Sequence, residues 1–343
     1  MTFKDFWYIV ALSTQLTEKT VLSRTILNEW LAIFRGEDGK PVALRDRCMH
    51  RNSRLSTGSV CKGHLQCPYH GWTYNDEGHV TAVPSEGDHC AHLPTRQALR
   101  YDTLEQDGYI YVRLTSPSPH TSIALSPFPM PHYQEKGWAT VRVINCFQNT
   151  VTNCAENFID IPHTVYVHPG IFRSIRKQPL EMTVERRNGS VIVNYQNETN
   201  NLGWFSQFLN GDRHEIYHTD SFHMPNVTSV EYDMGPHRKL IITSQSVPET
   251  EISTRVYTDV TYNYGIWNLF ARPFVGWTAQ RIIQQDIEIL ATQNEVIQKY
   301  GQEFSHTPSD TIHIFVESIR NCLENDGDPY QLSNKQTHIK FWV

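Results

Sequence analysis

The feature that most constrains this chain of 343 residues is a pair of short motifs that each join one cysteine to one histidine. The motifs are Cys48-x-His50 and Cys67-x-x-His70, and sixteen residues lie between them. Thiolate and imidazole are ligands for zinc and for iron–sulfur centres. The segment that carries both motifs is therefore expected to bring four side chains around one inorganic group.

Each motif pairs one Cys with one His, and this mixed pairing helps to distinguish a zinc site from an iron–sulfur centre. A Cys₂His₂ set can hold structural zinc, but zinc sites are usually built from one Cys–Cys pair and one His–His pair. Pairs that mix Cys with His suit an asymmetric [2Fe–2S] centre, in which two Cys bind one iron and two His bind the other. The pairing favours the iron–sulfur centre and leaves structural zinc as the alternative.

Strand and turn signals around these motifs predict a small all-β domain. Runs typical of strands at Leu31 to Phe34, Val42 to Arg45 and Tyr109 to Leu114 are separated by turns rich in Asp and Gly. A stretch rich in Pro and Ser follows and is typical of a linker. The predicted divisions are residues 1–115 for the first domain, 116–131 for the linker and 132–343 for the second domain.

A second motif, D-x-x-H-x-x-x-x-H, is formed by Asp160, His163 and His168. On a regular α-helix, residues five apart lie roughly 140° apart around the axis, so the two histidines would not share a face. If both bind one metal ion, the helix must loosen into a π-type turn or end between them. Two unrelated histidines on an amphipathic helix are the alternative.

The C-terminal part of the chain predicts a sheet and a long helix. A helix is expected from about Thr278 to Tyr300, and it places Asp286 on the same apolar face as Ile283 and Leu290. A buried carboxylate needs a metal, a cation or hydrogen-bond donors, and a water-bridged core carboxylate is the alternative. Runs that predict antiparallel strands are Ala139 to Phe147, Leu180 to Glu185, Val191 to Gln196, Val227 to Tyr232, Lys239 to Ser246 and Thr254 to Tyr264.

Taken together, these motifs resemble the terminal oxygenase (alpha) subunits of the Rieske non-haem iron oxygenases over essentially the whole chain. The resemblance is carried by C-x-H followed by C-P-Y-H-G-W, by D-x-x-H-x-x-x-x-H, and by the late helix with the sequence QDIEIL. It implies an α+β fold with an N-terminal all-β Rieske domain. The C-terminal domain would be a helix-grip (START/Bet v 1-like) domain, an antiparallel sheet wrapped on a long helix.

The resemblance also assigns residues to two metal centres and to the route between them. It implies a [2Fe–2S] cluster on Cys48, His50, Cys67 and His70, and a mononuclear Fe(II) on His163, His168 and Asp286. In such enzymes a buried aspartate links the cluster of one subunit to the iron of its neighbour. Asp160 matches that aspartate, so a homotrimer is expected in which His70 of one subunit meets Asp160 of the next.

The implied activity is activation of O₂ at the mononuclear iron with electrons from the Rieske cluster. The resemblance to the homotrimeric branch favours hydroxylation, or removal of O- or N-methyl groups, on an apolar aromatic or polycyclic small molecule. Ring cis-dihydroxylation is the alternative chemistry. Two other classes remain as alternatives: a Rieske electron carrier without an iron active site, and a zinc-stapled ligand-binding module.

Composition limits the partners. A net charge of −6 argues against nucleic-acid binding, and no apolar run has the length of a membrane span. Seven unevenly spread cysteines suit a reducing compartment, so a cytoplasmic location is expected. No G-x-G-x-x-G motif follows a strand, so electrons are expected from a separate ferredoxin or flavin reductase.

Two further groups of residues have two possible interpretations each. Basic residues near the cluster ligands either form a docking surface for an acidic electron carrier or are ordinary solvated charges; they are Arg47, Arg51, Arg54 and Lys62. Aromatic residues either line the substrate pocket or belong to the core; they are Trp204, Phe205, Phe208, Phe222, Trp267, Phe270 and Phe274. The segment Asn197 to Arg213, rich in Asn and Gly, is a candidate entrance loop.

Overall fold

The computed structural model divides the chain into two compact units, which comprise residues 2–129 and residues 130–343 with Met1. We call them the N-terminal unit and the C-terminal unit. The structure describes residues 1–87, 93–115, 126–171, 179–196, 216–235 and 238–343. Most of the proposed linker, residues 116–125, lies outside the described residues.

The described residues of the N-terminal unit form ten short strands. They are β1 (Tyr8–Leu12), β2 (Leu22–Ile26), β3 (Glu29–Arg35), β4 (Pro41–Arg45), β5 (Ser59–Cys61), β6 (His64–Gln66), β7 (Thr73–Tyr74), β8 (Val80–Ala82), β9 (Arg100–Gln106) and β10 (Tyr109–Arg113). Six of them form an antiparallel sheet in the order β1-β10-β9-β4-β3-β2, and the other four form a smaller sheet in the order β5-β6-β7-β8. The prediction of a small all-β domain is confirmed.

The C-terminal unit contains one antiparallel sheet of eight strands. They are β11 (Ala139–Phe147), β12 (Pro179–Arg187), β13 (Ser190–Gln196), β14 (Tyr217–His223), β15 (Val227–Asp233), β16 (Lys239–Pro248), β17 (Thr254–Asn263) and β18 (Lys335–Trp342). Their order is β11-β17-β16-β15-β14-β13-β12-β18. The six strands predicted in this region are all present, and the sheet is antiparallel throughout as expected.

Four helices of the described residues accompany this sheet. They are α1 (Val151–Asn157), α2 (His163–Val167), α3 (Asn268–Tyr300) and α4 (Thr311–Glu324). The long helix α3 packs on the β11 and β17 end of the sheet, where Ile283 and Leu290 join Phe147 and Val256 in one buried cluster. A sheet packed on one long helix is the arrangement that the resemblance implied.

The helix α3 begins at Asn268, ten residues before the predicted start near Thr278. Leu269 and Phe270 in its first turn are 76% and 74% exposed, so these turns lack the buried apolar face that hydrophobic periodicity detects. Pro273 also lies within these turns and removes one intrahelical hydrogen bond, which made a helix unlikely from sequence. None of the described helices has the length and apolarity needed to cross a membrane.

Candidate metal centres

The two cysteines of the first motif pair are buried in the core of the N-terminal unit. Cys48 and Cys67 are 1% and 2% exposed. The Tyr74 hydroxyl accepts the backbone N–H of Met49 at 2.9 Å and lies 3.2 Å from Cys48 Sγ. A hydroxyl has one proton, so this arrangement leaves the Tyr74 proton for the cysteine sulfur. Burial raises the pKa of the Cys67 thiol, so a bound metal would be needed to hold it as thiolate.

The two histidines of the motif pairs form the outer half of this centre. The ring centroids of His50 and His70 are 4.5 Å apart, and His50 stacks on Trp72. His50 Nδ1 is buried and finds no hydrogen-bond partner among the described residues, whereas His70 is exposed. A buried nitrogen without a partner fits a metal ligand better than a packing role. Two buried thiols and two less buried imidazoles match an asymmetric [2Fe–2S] cluster, in which two Cys bind one iron and two His bind the other.

Gly71 allows the tight turn that follows Cys67 and His70. Its φ is +71°, and a Cβ at this position would lie 2.9 Å from Pro84 Cγ. Its N–H donates to the Cys67 carbonyl at 3.1 Å, which closes the turn around the ligand pair. Only glycine combines this backbone conformation with such a close approach, so the residue after His70 is fixed by geometry.

We expect Tyr74→Phe to shift the cluster potential to a more negative value. The substitution removes the hydroxyl that lies 3.2 Å from Cys48 Sγ, and hydrogen bonds to the sulfurs of a cluster favour its reduced state. Potentiometric titration of the cluster signal measures the shift. Tyr101→Phe, at another buried tyrosine of the same unit, should leave the potential unchanged. If the Tyr74→Phe variant has the same potential as the wild type, this hydrogen bond does not influence the cluster.

The second motif brings its two histidines together because the helix ends between them. Helix α2 begins at His163 and ends at Val167, and His168 follows with the non-helical φ and ψ values −119° and 56°. The two imidazole rings are therefore turned toward one region, with centroids 5.3 Å apart. The expectation that the helix must loosen or end before both histidines can face one ion is confirmed.

Asp286 of helix α3 completes a group of three potential ligands. Its Oδ1 lies 3.1 Å from His168 Nε2 and 3.6 Å from His163 Nε2. Asp286 is 3% exposed, yet Oδ1 accepts no hydrogen bond of suitable geometry from the described residues. The three ligand atoms lie within 4.8 Å of one another. Two imidazoles and one carboxylate that converge in this way fit a divalent iron with open coordination positions.

The outer nitrogen of each histidine is held by a side-chain oxygen. Asp160 Oδ2 lies 3.1 Å from His163 Nδ1 and also accepts the backbone N–H of His163 at 3.1 Å. Gln285 Oε1 lies 2.9 Å from His168 Nδ1. Such partners fix the ring orientation and tautomer of metal-binding histidines, so both Nε2 atoms are directed toward Asp286.

The protonation of His163 is set by opposing influences. Burial lowers the pKa of His163, but the hydrogen bond and charge of Asp160 and the charge of Asp286 outweigh it, so the pKa is raised. Only the neutral imidazole binds a metal ion. Protonation of His163, which the two carboxylates favour, therefore competes with metal binding at this site.

Buried amides connect the segment that carries α1 and α2 to helix α3. Asn149 Nδ2 donates to the Leu290 carbonyl at 2.8 Å, and its Oδ1 accepts from Asn153 Nδ2 at 2.8 Å. Thr150 caps α1 by accepting the Asn153 N–H at 3.2 Å. These bonds hold the start of α1 against α3 one turn from Asp286, which positions the histidine motif opposite the carboxylate.

A cavity adjoins this group between the sheet and helix α3. It has a volume of about 100 Å³, opens partly to solvent, and includes Val260 and Ile283 in its walls. His218 and Asp220 add polar groups to the same wall, and both are at most 2% exposed. His218 Nε2 lies 2.9 Å from Asp220 Oδ1, and the Tyr195 hydroxyl donates to Asp220 Oδ2 at 2.9 Å. An apolar cavity with a small polar group is typical of small-molecule sites.

The aromatic residues singled out from the sequence do not line this cavity where the structure describes them. Phe222 is fully buried in the core, and Trp267 and Phe270 are 64% and 74% exposed. Trp204, Phe205, Phe208 and the candidate entrance loop from Asn197 to Arg213 lie outside the described residues. The polar residues His218 and Asp220 were missed because nothing in their local sequence distinguishes them from ordinary strand residues.

Two of the four basic residues near the cluster ligands are engaged within the N-terminal unit. Arg54 Nε lies 2.9 Å from the buried Asp46 carboxylate, and its guanidinium stacks over Trp30. Arg47 Nε donates to Asn52 Oδ1 at 2.8 Å. All four side chains are exposed, including those of Arg51 and Lys62. A docking role therefore rests mainly on Arg51 and Lys62, whose charges do not take part in the contacts above.

We expect Gln285→Met to weaken metal binding at His168 by roughly 10- to 100-fold, the range typical for loss of a partner behind a metal ligand. The substitution keeps the side-chain length and replaces the amide, whose oxygen lies 2.9 Å from His168 Nδ1, with a thioether. Iron content per chain after dialysis at graded free iron measures the effect. The neighbouring Gln284→Met is a matched control because Gln284 is exposed. Equal iron binding by both variants would show that His168 needs no such support.

Comparison with known families gives matches in both units. Residues 6–101 match the Rieske [2Fe-2S] domain, and residues 148–326 match the vanillate O-demethylase oxygenase C-terminal domain. The chain therefore belongs to the Rieske non-haem iron oxygenases, in the group whose catalytic domain is of the vanillate O-demethylase type. Members of this family carry a Rieske [2Fe–2S] cluster and a mononuclear Fe(II) and use O₂.

Individual relatives agree with this assignment. The chain is 33% identical over 200 residues to methylxanthine N1-demethylase of Pseudomonas putida, a match that spans 54% of this chain and 53% of that protein. It is 28% identical over 303 residues to the oxygenase component of dicamba O-demethylase of Stenotrophomonas maltophilia, with 83% and 86% covered. The chain thus spans about half the length of the first relative and most of the second.

Solved structures show the same fold. Dicamba monooxygenase bound to dicamba matches with a TM-score of 0.78 at 23% identity, covering 94% of this chain and 98% of that one. The N-demethylase NdmB of Pseudomonas putida matches with a TM-score of 0.76 at 19% identity, covering 98% of both chains. The α+β fold predicted from the sequence is confirmed.

Proposed function

We propose that this protein is a terminal oxygenase that removes O- or N-methyl groups from an aromatic or heterocyclic small molecule. The observation that carries the proposal is the convergence of His163, His168 and Asp286 beside an apolar cavity. The relatives described above are O- and N-demethylases, which supports the same reaction class.

The proposed cofactor ligands are the two sets described above. Cys48, Cys67, His50 and His70 hold the [2Fe–2S] cluster, and His163, His168 and Asp286 hold the mononuclear iron. When bound, these groups supply single electrons and O₂ activation, chemistry that no side chain provides alone. The chain's own contribution is to hold both imidazoles by their outer nitrogens. His163, His168 and Asp286, which would hold the iron, also line the cavity that would receive the substrate.

The cavity supports an aromatic substrate with one polar group. Its apolar walls favour burial of a ring, at roughly 25 cal/mol per Å² of apolar surface removed from water. The His218–Asp220 pair is the polar feature of the wall, and the His218 ring is sandwiched between Tyr195 and Tyr232 at centroid distances of 4.4 and 4.1 Å. A ring held in this way cannot rotate freely, so it offers a fixed anchor that orients the methyl group of the substrate.

Asp160 is the proposed link for electrons between neighbouring copies of the chain. Its carboxylate is 37% exposed, and one oxygen already faces His163. His70 is also exposed, so each of the two residues is accessible to a second copy. We propose a homotrimer in which His70 of one copy meets Asp160 of the next. The native mass in solution is then expected to be that of about three chains, and an active monomer would contradict the route.

The electrons are proposed to come from a separate ferredoxin or flavin reductase. Arg51 and Lys62 are exposed near the cluster ligands and suit an acidic carrier. Encounter of charged proteins is screened by salt over a Debye length of roughly 8 Å at physiological ionic strength. The rate at which the carrier reduces the cluster should therefore fall as the salt concentration rises. A rate that does not depend on salt would show that these charges do not form the docking surface.

Product analysis tests the proposed reaction. The iron-loaded protein is combined with a surrogate reductase, NADH and a panel of methoxy- and N-methyl-aromatic compounds, and products are identified by mass spectrometry with assay of formaldehyde. Loss of one methyl group with one formaldehyde per product is the expected result. A product that gains two hydroxyl groups and keeps its methyl group would instead identify a ring dioxygenase.

A further inference from the structure

A second group of histidine and carboxylate side chains lies on helix α4 and just before it. His306, His313 and Glu317 each bring one potential ligand atom to within 4.8 Å of the others. His313 and Glu317 are four residues apart and share one face of α4, with His313 Nε2 3.4 Å from Glu317 Oε1. Two imidazoles and one carboxylate form a ligand set that zinc uses, with water in the fourth position.

Glu156 of helix α1 pairs with the other nitrogen of His313. The Glu156 carboxylate contacts His313 Nδ1, and Glu156 is 8% exposed. Two atoms here are buried without a hydrogen bond of suitable geometry among the described residues: Glu156 Oε1 and His313 Nε2. A carboxylate on Nδ1 favours the N–H at that nitrogen, so in the neutral imidazole the lone pair is on Nε2, which lies beside Glu317. A metal-binding histidine is usually held in this way.

His306 is held in place by the turn that precedes α4. The side chain and backbone of Thr307 both bond to the Asp310 carboxylate, which closes the short 3-10 turn Pro308–Asp310. The His306 ring centroid lies 5.1 Å from that of His313, and His306 is exposed. The group is thus assembled from ordered backbone and is open to solvent on one side, where an ion can enter and a water can complete its coordination.

We propose that His306, His313 and Glu317 bind a divalent cation of the zinc class, with Glu156 as the positioning residue behind His313. Glu156, His306 and His313 line a cavity that Asp160 and His163 also line. An ion at this position would connect α1, α4 and the turn before α4. It would therefore stiffen one wall of the cavity that borders Asp160, without using any ligand of the iron site.

Metal analysis of the holoenzyme tests this proposal. Protein loaded with iron and cluster is dialysed against graded free Zn²⁺, and zinc and iron per chain are measured together. One zinc per chain with unchanged iron is expected. His306→Ala, which alters an exposed side chain, and Glu317→Gln should each weaken zinc binding by at least roughly tenfold. His338→Ala is the matched control, because His338 is an exposed histidine beside a different glutamate, 3.8 Å from Glu181.

Glu156→Gln tests the positioning role separately. It keeps the shape of the side chain, and zinc binding should weaken by roughly 10- to 100-fold while iron content and cluster signal stay at wild-type levels. Loss of iron together with zinc would instead indicate a structural defect. The proposal is overturned if no zinc binds, if each zinc bound displaces one iron, or if His306→Ala binds zinc as tightly as His338→Ala.

Discussion

Replacing Asp160 with Asn is expected to lower turnover by roughly 100-fold or more while both metal centres stay filled. Asn can still accept the backbone N–H of His163, so the first N–H of helix α2 keeps its partner. What is lost is the negative charge 3.1 Å from His163 Nδ1, at the place where electrons are proposed to arrive from a neighbouring copy. NADH-driven turnover with a reductase, measured beside iron and acid-labile sulfide, separates loss of transfer from loss of metal.

Two further variants make the Asp160 result specific. Asp160→Ala should in addition leave the His163 backbone N–H and Nδ1 without their acceptor, so it should lower the melting temperature and weaken iron binding by roughly 10- to 100-fold. Asp233→Asn alters a carboxylate paired with Lys239 on the surface and should retain full turnover. Near-native turnover by Asp160→Asn would show that electron transfer does not need the Asp160 carboxylate.

Replacing Asp286 with Ala is expected to empty the mononuclear iron site while the Rieske signal persists. The substitution deletes one of three proposed ligands, so iron binding should weaken by more than the roughly 10- to 100-fold typical of an outer partner. Turnover should fall in proportion to the iron lost. Iron per chain, together with the electron paramagnetic resonance signal of the reduced cluster, measures both outcomes in one sample.

The metal-free Asp286 variant gives an independent check on the ligand role. Without a metal, the buried Asp286 carboxylate lies 3.6 Å from His163 Nε2, and its charge helps to raise the pKa of His163. Removing it should therefore lower the pKa of His163 in the metal-free protein, which NMR titration of the imidazole measures. Glu288→Ala, on the exposed side of the same helix, is the control for both experiments. Full iron and activity in Asp286→Ala would mean that the third ligand lies elsewhere.

The sequence indicated the two ligand groups because their chemistry depends on residue type and spacing. Few structures place Cys and His in two mixed pairs, and histidines five residues apart can share one ion only if a helix ends between them. The end of α2 at Val167 agrees with that argument. Asp286 was recognised because a carboxylate on an apolar helix face has a large cost that some partner must offset.

Residues that meet only through tertiary structure could not be recognised in the same way. Gln285 reaches His168 across more than a hundred positions of sequence, and a glutamine on a helix has no distinctive pattern. The contact between His218 and Tyr232 depends on the register of β14 and β15, which alternation alone does not fix. The pairing of Glu156 with His313 likewise joins two helices that are distant in sequence.

A single-turnover experiment tests most directly whether the Rieske cluster of this protein drives demethylation at its mononuclear iron. The protein is loaded with iron, its cluster is chemically reduced, the reductant is removed, and O₂ is added with a methoxy- or N-methyl-aromatic compound that the product panel has identified. We expect the cluster signal to decay with the appearance of formaldehyde, and both to fail in Asp286→Ala. A reduced cluster that persists without formaldehyde, in a sample shown to contain both metal centres, would contradict the oxygenase assignment and leave an electron carrier.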